Sequence, residues 1–398
     1  MNTRGFSAFA LHVAIVLATT AALVAGAVNA PQGWMLGPFH RASNSPVISP
    51  QPGATFMDPI RSHFVHWEAL HTFNPAATVY NGKIDLLYRA EDNTGRMVIG
   101  MHTSRLGLAE SKDGIHFIRR GTPVFYPAKD AQQTREWPGG VEDPRIVESE
   151  NGTYVLTYTQ WNRKTYTVGV ATSKDLLHWT KYGPAFAGAE GGKYDQLEYK
   201  SAVILTQLVG DRLLAAKLHG KYWMYWGEIQ IRLATSHDLI HWTPVEDSQG
   251  KPLVLLARRT GLFDSAFPEV EPPPVLMPQG ILLFYNGKNA DHGGASGIGA
   301  GAYSGGQALF SADDPARLLK RANQPYIQPK LSWEKSGQYT AGTTFTEGLV
   351  FFHGKWFLYY GAADTYVGVA EYPISGQVAI SEGLPLPRSW LARWGLSR

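Results

Sequence analysis

The sequence of 398 residues contains no cysteine, which excludes disulfide bridges and thiolate metal sites. Its formal net charge of +3 is too small to indicate a nucleic-acid partner. It has neither a phosphate-cradling Gly-rich loop nor a G-x-S-x-G nucleophile elbow, so nucleotide and esterase chemistry have no support. No cofactor is predicted. The composition, 44% hydrophobic and 12% aromatic, suits a large soluble domain with a substantial core.

Without cysteine, a zinc site in this sequence would have to use His and carboxylate ligands. His63, His66 and His71 cluster near the start of the predicted folded region. We interpret these three residues as loop or packing residues rather than metal ligands, and no metal site is predicted.

Long helical periodicity is missing everywhere except at the N-terminus. There Arg4 precedes a long apolar stretch, and small residues follow at Ala25-Gly26-Ala27. This pattern predicts a secretory signal peptide over residues 1–27, with an uncleaved membrane anchor as the alternative. Either form implies export, so we expect a periplasmic or secreted protein that contacts a membrane only if the segment is retained.

What the sequence does contain is a phrase repeated five times: a Gly, a short apolar and aromatic run, then a polar break. The copies occupy residues 81–92, 151–161, 219–228, 279–289 and 353–364, and a companion phrase follows each copy. Runs of this length, rich in Val, Tyr, Trp and Phe, favour strands over helices. Because the runs are almost continuously apolar, we expect these strands to be covered on both faces.

Repetition at this period indicates stacked supersecondary units. Each unit has room for a four-stranded sheet, and five such sheets arranged radially form a five-bladed β-propeller, whereas a β-sandwich would not explain five copies. We therefore predict an all-β, five-bladed β-propeller over residues 61–375. It follows an N-terminal extension at 28–60 and precedes a basic, amphipathic C-terminal tail at 376–398.

The companion phrases place an acidic residue at the same point of three units. Asp113, Asp175 and Asp238 each follow a Ser by two residues, where an Asx or type I turn would place an acid. We interpret these three residues as structural.

Other charged residues sit at equivalent strand ends in successive repeats. They include Arg89 and Glu91, which share a strand face by period two, and the phrase Glu142-Asp143-Pro144-Arg145. Further acids are Glu228, the pair Glu269 and Glu271, and Asp364. A propeller would bring such residues together at its axis. Carboxylates and Arg surrounded by Trp and Tyr are typical of a sugar site, where carboxylate pairs supply acid and base for glycosidic cleavage.

Several motifs of the sequence resemble those of glycoside hydrolase family 130. The resemblance is carried, in order along the chain, by F-N-P-A (73–76), L-L-Y-R-A-E-D (86–92), V-E-D-P-R-I (141–146), H-G-K-Y-W-M-Y-W (219–226), P-P-P-V (272–275) and Y-Y-G-A-A-D-T-Y-V-G-V-A (359–370). It implies a five-bladed propeller that acts on β-mannosides, by phosphorolysis or hydrolysis, with inversion. It also implies that Asp143 is the general acid, working through the mannose 3-hydroxyl, and that Asn74, Arg89 and Asp364 hold the mannose.

Departures from the family pattern bear on the reaction. Phosphorylases resemble G-K-Y-x-M-x-H-R-P in the third repeat, whereas this sequence has Trp226 and Gly227 in place of the basic pair, followed by Glu228. Glu271 likewise stands where phosphorylases tend to have a Gly-rich phrase. Two acids in place of bases would repel phosphate and activate water.

We therefore predict an inverting exo-β-mannosidase acting on an oligosaccharide, as in the branch of the family that hydrolyses β-1,2-mannosides. Its catalytic residues are Asp143, Glu228 and Glu271, with Glu269 as the competitor of Glu271. The predicted substrate-binding residues are Asn74, Arg89, Glu91, Arg145, Lys200, Tyr285 and Asp364.

Three alternatives remain open. A mannoside phosphorylase would use Lys200, Arg163 and Arg232 to hold phosphate. Another glycosidase, such as an arabinofuranosidase on a related five-bladed scaffold, would deliver the proton directly. A glycan-binding propeller would bind sugar and release no product.

Overall fold

The computed structural model describes residues 33–373, and nearly all the regular structure within them is β-strand. The described helices are short: α1 (Gln133–Glu136) and two 3-10 turns at Ala189–Gly192 and Ser332–Lys335. The prediction of an all-β fold is confirmed. Across these residues no helix is both long and apolar enough to cross a membrane. The predicted leader (1–27) and C-terminal tail (376–398) lie outside the described residues.

The strands fall into five units that follow one another along the chain. Three short strands come first: β1 (His40–Arg41), β2 (Phe56–Asp58) and β3 (His63–Val65). The first unit contains β4 (His71–Tyr80), β5 (Lys83–Glu91), β6 (Ser104–Ser111) and β7 (Ile118–Arg119). The second contains β8 (Gly140–Glu148), β9 (Tyr154–Trp161), β10 (Tyr166–Ser173) and β11 (Trp179–Pro184).

The third unit is the most elaborate, with β12 (Ala202–Ile204), β13 (Thr206–Val209), β14 (Arg212–Ala215), β15 (Lys217–Leu218), β16 (Lys221–Trp226), β17 (Ile231–Ser236), β18 (Thr243–Pro244) and β19 (Val254–Leu256). The fourth contains β20 (Phe267–Val270), β21 (Val275–Met277), β22 (Gly280–Lys288), β23 (Tyr303–Phe310) and β24 (Leu318–Arg321). The fifth contains β25 (Phe345–Phe352), β26 (Lys355–Ala362) and β27 (Tyr366–Pro373).

Within each unit the strands pair antiparallel. The orders are β4-β5-β6-β7, β8-β9-β10-β11, β12-β16-β17-β18, β21-β22-β23-β24 and β25-β26-β27-β1. The five repeated phrases correspond to β5, β9, β16, β22 and β26, the second long strand of each unit, and their companions to the strand that follows. The last unit is completed by the N-terminal strand β1, in which His40 pairs with Glu371.

The apolar core consists of five buried clusters, each shared by two units. One cluster contains Leu87 of the first unit and Tyr158 of the second, and another contains Val168 of the second unit and Trp226 of the third. The third and fourth, the fourth and fifth, and the fifth and first units share the other three clusters. Each unit therefore lies against the next along the chain, and the last lies against the first. The strand β22 is buried along its first eight residues, as expected for strands covered on both faces.

The first strands of three units are interrupted at one position. Their pairing register shifts at Asn74 in β4, at Asp143-Pro144 in β8 and at Glu347 in β25. Asn74 and Asp143 both have a left-handed backbone, with φ of 45°. Such bulges re-aim side chains and are frequent beside active sites. They bring polar side chains of separate units to one place.

The repeated acids of the companion phrases form identical turns. Asp113, Asp175 and Asp238 each accept backbone N–H groups two and three residues further on, at 2.9 and 2.8 Å. Each also contacts the His three residues on through its second oxygen. The structural interpretation of these three residues is confirmed.

Candidate active site

Side chains of all five units line one cavity of about 340 Å³. The acidic and basic residues at its surface are Arg89, Glu142, Asp143, Lys200, Glu228, Glu269 and Asp364. Aromatic rings, among them Trp161, Tyr303 and Tyr339, complete the wall. A larger cavity of about 540 Å³ beside Phe125 has a single carboxylate in its lining, that of Asp130, so the chemistry is concentrated in the smaller cavity.

Asp143 is held by donors from the neighbouring unit. Asn74 donates Nδ2–H to its Oδ1 at 2.9 Å, and Arg89 donates Nη1–H to the same oxygen at 3.1 Å. Arg145 donates to the backbone carbonyl of Asp143 at 2.5 Å. Burial acts to raise the pKa of Asp143, but Arg89, Arg145 and Lys200 outweigh it and hold the pKa below its usual range. The bulge at Asp143 therefore delivers an ionised carboxylate to the cavity.

Arg89 is a buried cation shared among carboxylates. It donates to Glu91 at 2.6 Å and to Glu142 at 2.8 Å, besides Asp143. The single positive charge of this guanidinium does not neutralise three carboxylates. Burial and the neighbouring acids accordingly raise the pKa of Glu142, against the effect of Arg89. Burial, together with Glu91, raises the pKa of Asp364 to about 7. The cluster therefore retains protons near neutral pH.

On the other side of the cavity, Lys200 lies between two carboxylates. Its Nζ is 3.5 Å from Glu228 and 3.5 Å from Glu269. The two acids are neighbours because their residues form an isolated antiparallel β-bridge between the third and fourth units. Ser201 donates its hydroxyl to Glu269 at 2.5 Å. Burial raises the pKa of Glu269 despite Lys200, and the two acids hold the pKa of Lys200 well above its usual value although burial opposes them.

Two predicted site residues lie elsewhere. Glu271 is fully buried beside Arg145, whose Nε donates to it at 2.8 Å, and it is not part of the cavity lining. Glu269, the alternative, occupies the position that was expected for Glu271. Tyr285 is also fully buried and does not line the cavity. Its hydroxyl donates to Asp264 at a distance of 2.9 Å. Both placements correct the sequence prediction.

The remaining predicted residues divide into two groups. Asn74, Arg89, Lys200 and Asp364 line the cavity together with Asp143 and Glu228. Glu91 and Arg145 do not line it but hold residues that do: Glu91 binds Arg89, and Arg145 binds the carbonyl of Asp143.

Sequence reasoning missed several residues of the lining. Glu142 directly precedes Asp143 in the sequence, and this position was the one signal that could have identified it as a lining residue. Tyr303 and Tyr339 contact each other edge to face, with ring centroids 5.6 Å apart. Tyr339 lies in a loop outside the repeated phrases, where no sequence pattern marks it.

A second cavity of about 440 Å³ adjoins the first and shares Tyr166, Lys200 and Glu228 with it. Arg232 and Trp226 belong to its lining, and the Arg232 guanidinium lies 5.2 Å from the centroid of the Trp226 ring. The two cavities therefore lie on either side of these three shared residues.

A protein-family model described as beta-1,4-mannooligosaccharide phosphorylase matches residues 41–381, most of the chain. The chain belongs to glycoside hydrolase family 130. The family resemblance seen in the sequence is thereby confirmed.

Relatives within family 130 differ in their described activity. A 1,2-beta-oligomannan phosphorylase from Thermoanaerobacter sp. is 31% identical over 83% of this chain and 95% of the relative. A glycosyl hydrolase structure from Bacteroides ovatus is 50% identical, covers 86% of this chain and 96% of its own, and has a TM-score of 0.84. Another structure is described with the statement that the family of mannoside phosphorylases contains glycoside hydrolases that target beta-1,2 mannosidic linkages in Candida mannan. It is 50% identical over 86% of this chain and 96% of its own, with a TM-score of 0.85.

Proposed function

We propose that this protein is an inverting exo-β-mannosidase that hydrolyses β-1,2-linked mannooligosaccharides. The observation that carries the proposal is the pair of carboxylates, Glu228 and Glu269, beside Lys200 on the cavity that also contains Asp143. Two acids at this side oppose the entry of a phosphate dianion, and they supply a base for water. The similarity to a structure described with hydrolases of β-1,2-mannosidic linkages supports the same conclusion.

Asp143 is the proposed acid, acting through the mannose 3-hydroxyl as the family resemblance implies. In the free protein its carboxylate is ionised, whereas Glu142 and Asp364 hold protons more tightly. A proton must therefore pass to Asp143 when the substrate binds. Mannose is neutral and displaces water from the cavity, which favours the protonated form of an acid so enclosed.

Glu269 is the proposed general base and Glu228 the residue that orients water with it. A base works best when its pKa lies near the operating pH, and burial moves the pKa of Glu269 upward towards that range. Lys200 holds the two carboxylates together at 3.5 Å from each. Asn74, Arg89 and Asp364 are proposed to grip the mannose, and the adjoining 440 Å³ cavity to take the leaving part of the oligosaccharide.

Product analysis tests the reaction type. The purified protein is incubated with β-1,2-mannobiose, with and without inorganic phosphate, and the products are separated by anion-exchange chromatography. We expect free mannose at the same rate in both mixtures, and a loss of turnover in Glu228→Gln. Mannose 1-phosphate formed only in the presence of phosphate would overturn the hydrolytic assignment. No product in either mixture would overturn the assignment of β-1,2-mannobiose as a substrate.

The second candidate function is phosphorolysis. It is favoured by the 31% identity to a 1,2-beta-oligomannan phosphorylase and by the cations Lys200 and Arg232 in the lining of the 440 Å³ cavity. Arg163, the third cation considered, contributes to neither cavity lining. The same experiment separates the two reactions, since only phosphorolysis requires phosphate.

We also propose that the five units form a closed five-bladed β-propeller with the active site on its axis. The support is the set of five core clusters, each shared by consecutive units, together with a cavity to which every unit contributes. Export through the N-terminal leader likewise remains a proposal. Detection of a mature N-terminus after residue 27 in the periplasm or culture medium would test it.

A further inference from the structure

A cluster of three metal-binding side chains lies next to the active-site cavity. His71 begins β4, Glu91 ends β5, and His102 precedes β6, so the antiparallel pairing of these strands brings them together. One ligand atom from each residue lies within 4.8 Å of the others. Glu91 and His102 are buried and His71 is half-buried. This spacing is within the reach of a single bound cation.

The second ring nitrogen of each His is already engaged. Nδ1 of His102 lies 3.2 Å from the carbonyl oxygen of Thr94, which only accepts hydrogen bonds. The proton of His102 is therefore on Nδ1, and Nε2 keeps its lone pair. An Nδ1–H bound to a backbone carbonyl is the usual arrangement around a metal-ligating imidazole.

His71 is fixed in the same tautomer by a hydroxyl. Its Nδ1 lies 3.0 Å from Oγ1 of Thr365. That hydroxyl donates its own proton to the carbonyl of Ala363 at 3.2 Å and accepts from the backbone of Gln338 at 3.1 Å. With its proton committed, Thr365 accepts from His71, so Nε2 of His71 is also free to bind a metal.

Glu91 is oriented by two donors. Arg89 donates to Oε1 at 2.6 Å and Gln338 donates to Oε2 at 3.1 Å. Each carboxylate oxygen has a second lone pair, so these bonds fix the group without exhausting it. Because Arg89 also binds Asp143, a cation at Glu91 would compete with the guanidinium that holds the proposed catalytic acid.

We infer that His71, Glu91 and His102 form a site for a divalent transition metal of the zinc type. Two neutral imidazoles and one carboxylate are a common zinc ligand set and leave further positions for water. The sequence interpretation of His71 as a packing residue did not anticipate this site, because its partners belong to other strands and no short motif joins them.

Titration of the full chain with Zn²⁺ in an isothermal calorimeter tests the inference. We expect one saturable site, weakened at least tenfold in His71→Gln and in His102→Gln, and unchanged in the control His63→Gln, an exposed residue of β3. Substitution with Co²⁺ gives a second readout, because a tetrahedral site with two imidazoles produces strong visible absorption. Absence of stoichiometric binding by the wild-type protein, or equal binding by all variants, would overturn the inference.

Discussion

Glu269 and Glu271 stand two residues apart, yet the structure predicts opposite consequences for their replacement by Gln. Glu269 contacts the cavity and Lys200, whereas Glu271 contacts Arg145 and is fully buried. We expect Glu269→Gln to reduce kcat by roughly 10²–10⁴-fold, the usual contribution of a general base. Burial already disfavours the charged form of Glu269. We therefore expect its replacement by the neutral Gln to change the free energy of unfolding only slightly.

Glu271→Gln is expected to lower the stability of the fold rather than the rate of turnover. It removes the negative charge that Arg145 binds through Nε at 2.8 Å. Glu347 does not replace that charge, because its carboxyl oxygen lies 3.7 Å from the same nitrogen and burial raises its pKa well above the usual value. A hydrogen bond to a charged group contributes about 1.5–3 kcal/mol. With an unfolding entropy of about 2.1 cal/mol/K per residue over the described chain, this loss lowers Tm by roughly 2–4 °C.

Both variants are compared with the exposed control Glu150→Gln by two measurements. One is the rate of mannose release from β-1,2-mannobiose, and the other is thermal unfolding followed by circular dichroism. The reasoning is refuted if Glu271→Gln abolishes turnover at unchanged Tm while Glu269→Gln remains active, since that outcome would restore the assignment made from the sequence.

Three further substitutions test other parts of the structure. Burial, with Glu110, raises the pKa of Asp85 to about 7, so from about pH 4 to pH 7 the folded state keeps a proton that the unfolded chain has released. The free energy of unfolding therefore falls as the pH rises through this window. Asp85→Asn should make Tm depend less on pH, and an unchanged dependence of Tm on pH would contradict this reasoning. Gly361→Ala places a methyl 2.0 Å from Oδ1 of Asn74, and the displaced amide should cost on the order of 10²-fold in kcat/KM, which wild-type kinetics would contradict. Asp238→Ala removes the acceptor of two backbone N–H groups and should cost about 1 kcal/mol in urea denaturation, as a lost cap does; an unshifted midpoint would disprove this role.

The five repeats predicted the number of units and that each repeated phrase forms a strand. The same pattern predicted that Arg89, Asp143 and Asp364 meet, because equivalent strand ends of stacked units converge, and the family resemblance added Asn74; all four line one cavity. These placements were predictable because they follow from periodicity along the chain, which the sequence records directly.

The sequence prediction placed Glu271 and Tyr285 at the cavity wrongly, and both errors have the same physical reason. Glu269 and Glu271 are on the same side by period two, so alternation does not separate them. Glu269 lies within β20, but Glu271 follows its last residue and meets Arg145 of another unit. Tyr285 lies in a strand buried on both faces, so hydrophobicity does not reveal which face meets the cavity. These distinctions arise from contacts between distant segments.

The pairing of β1 with β27 joins the beginning of the described chain to its end. During synthesis, the partners of His40 and Arg41 in the sheet are made only after more than three hundred intervening residues. Until then the edge of the fifth sheet is open, and the early segment has no sheet to join. A nascent chain that is still incomplete therefore lacks this pairing, and removal of residues 33–48 should leave an unpaired β-edge that promotes self-association.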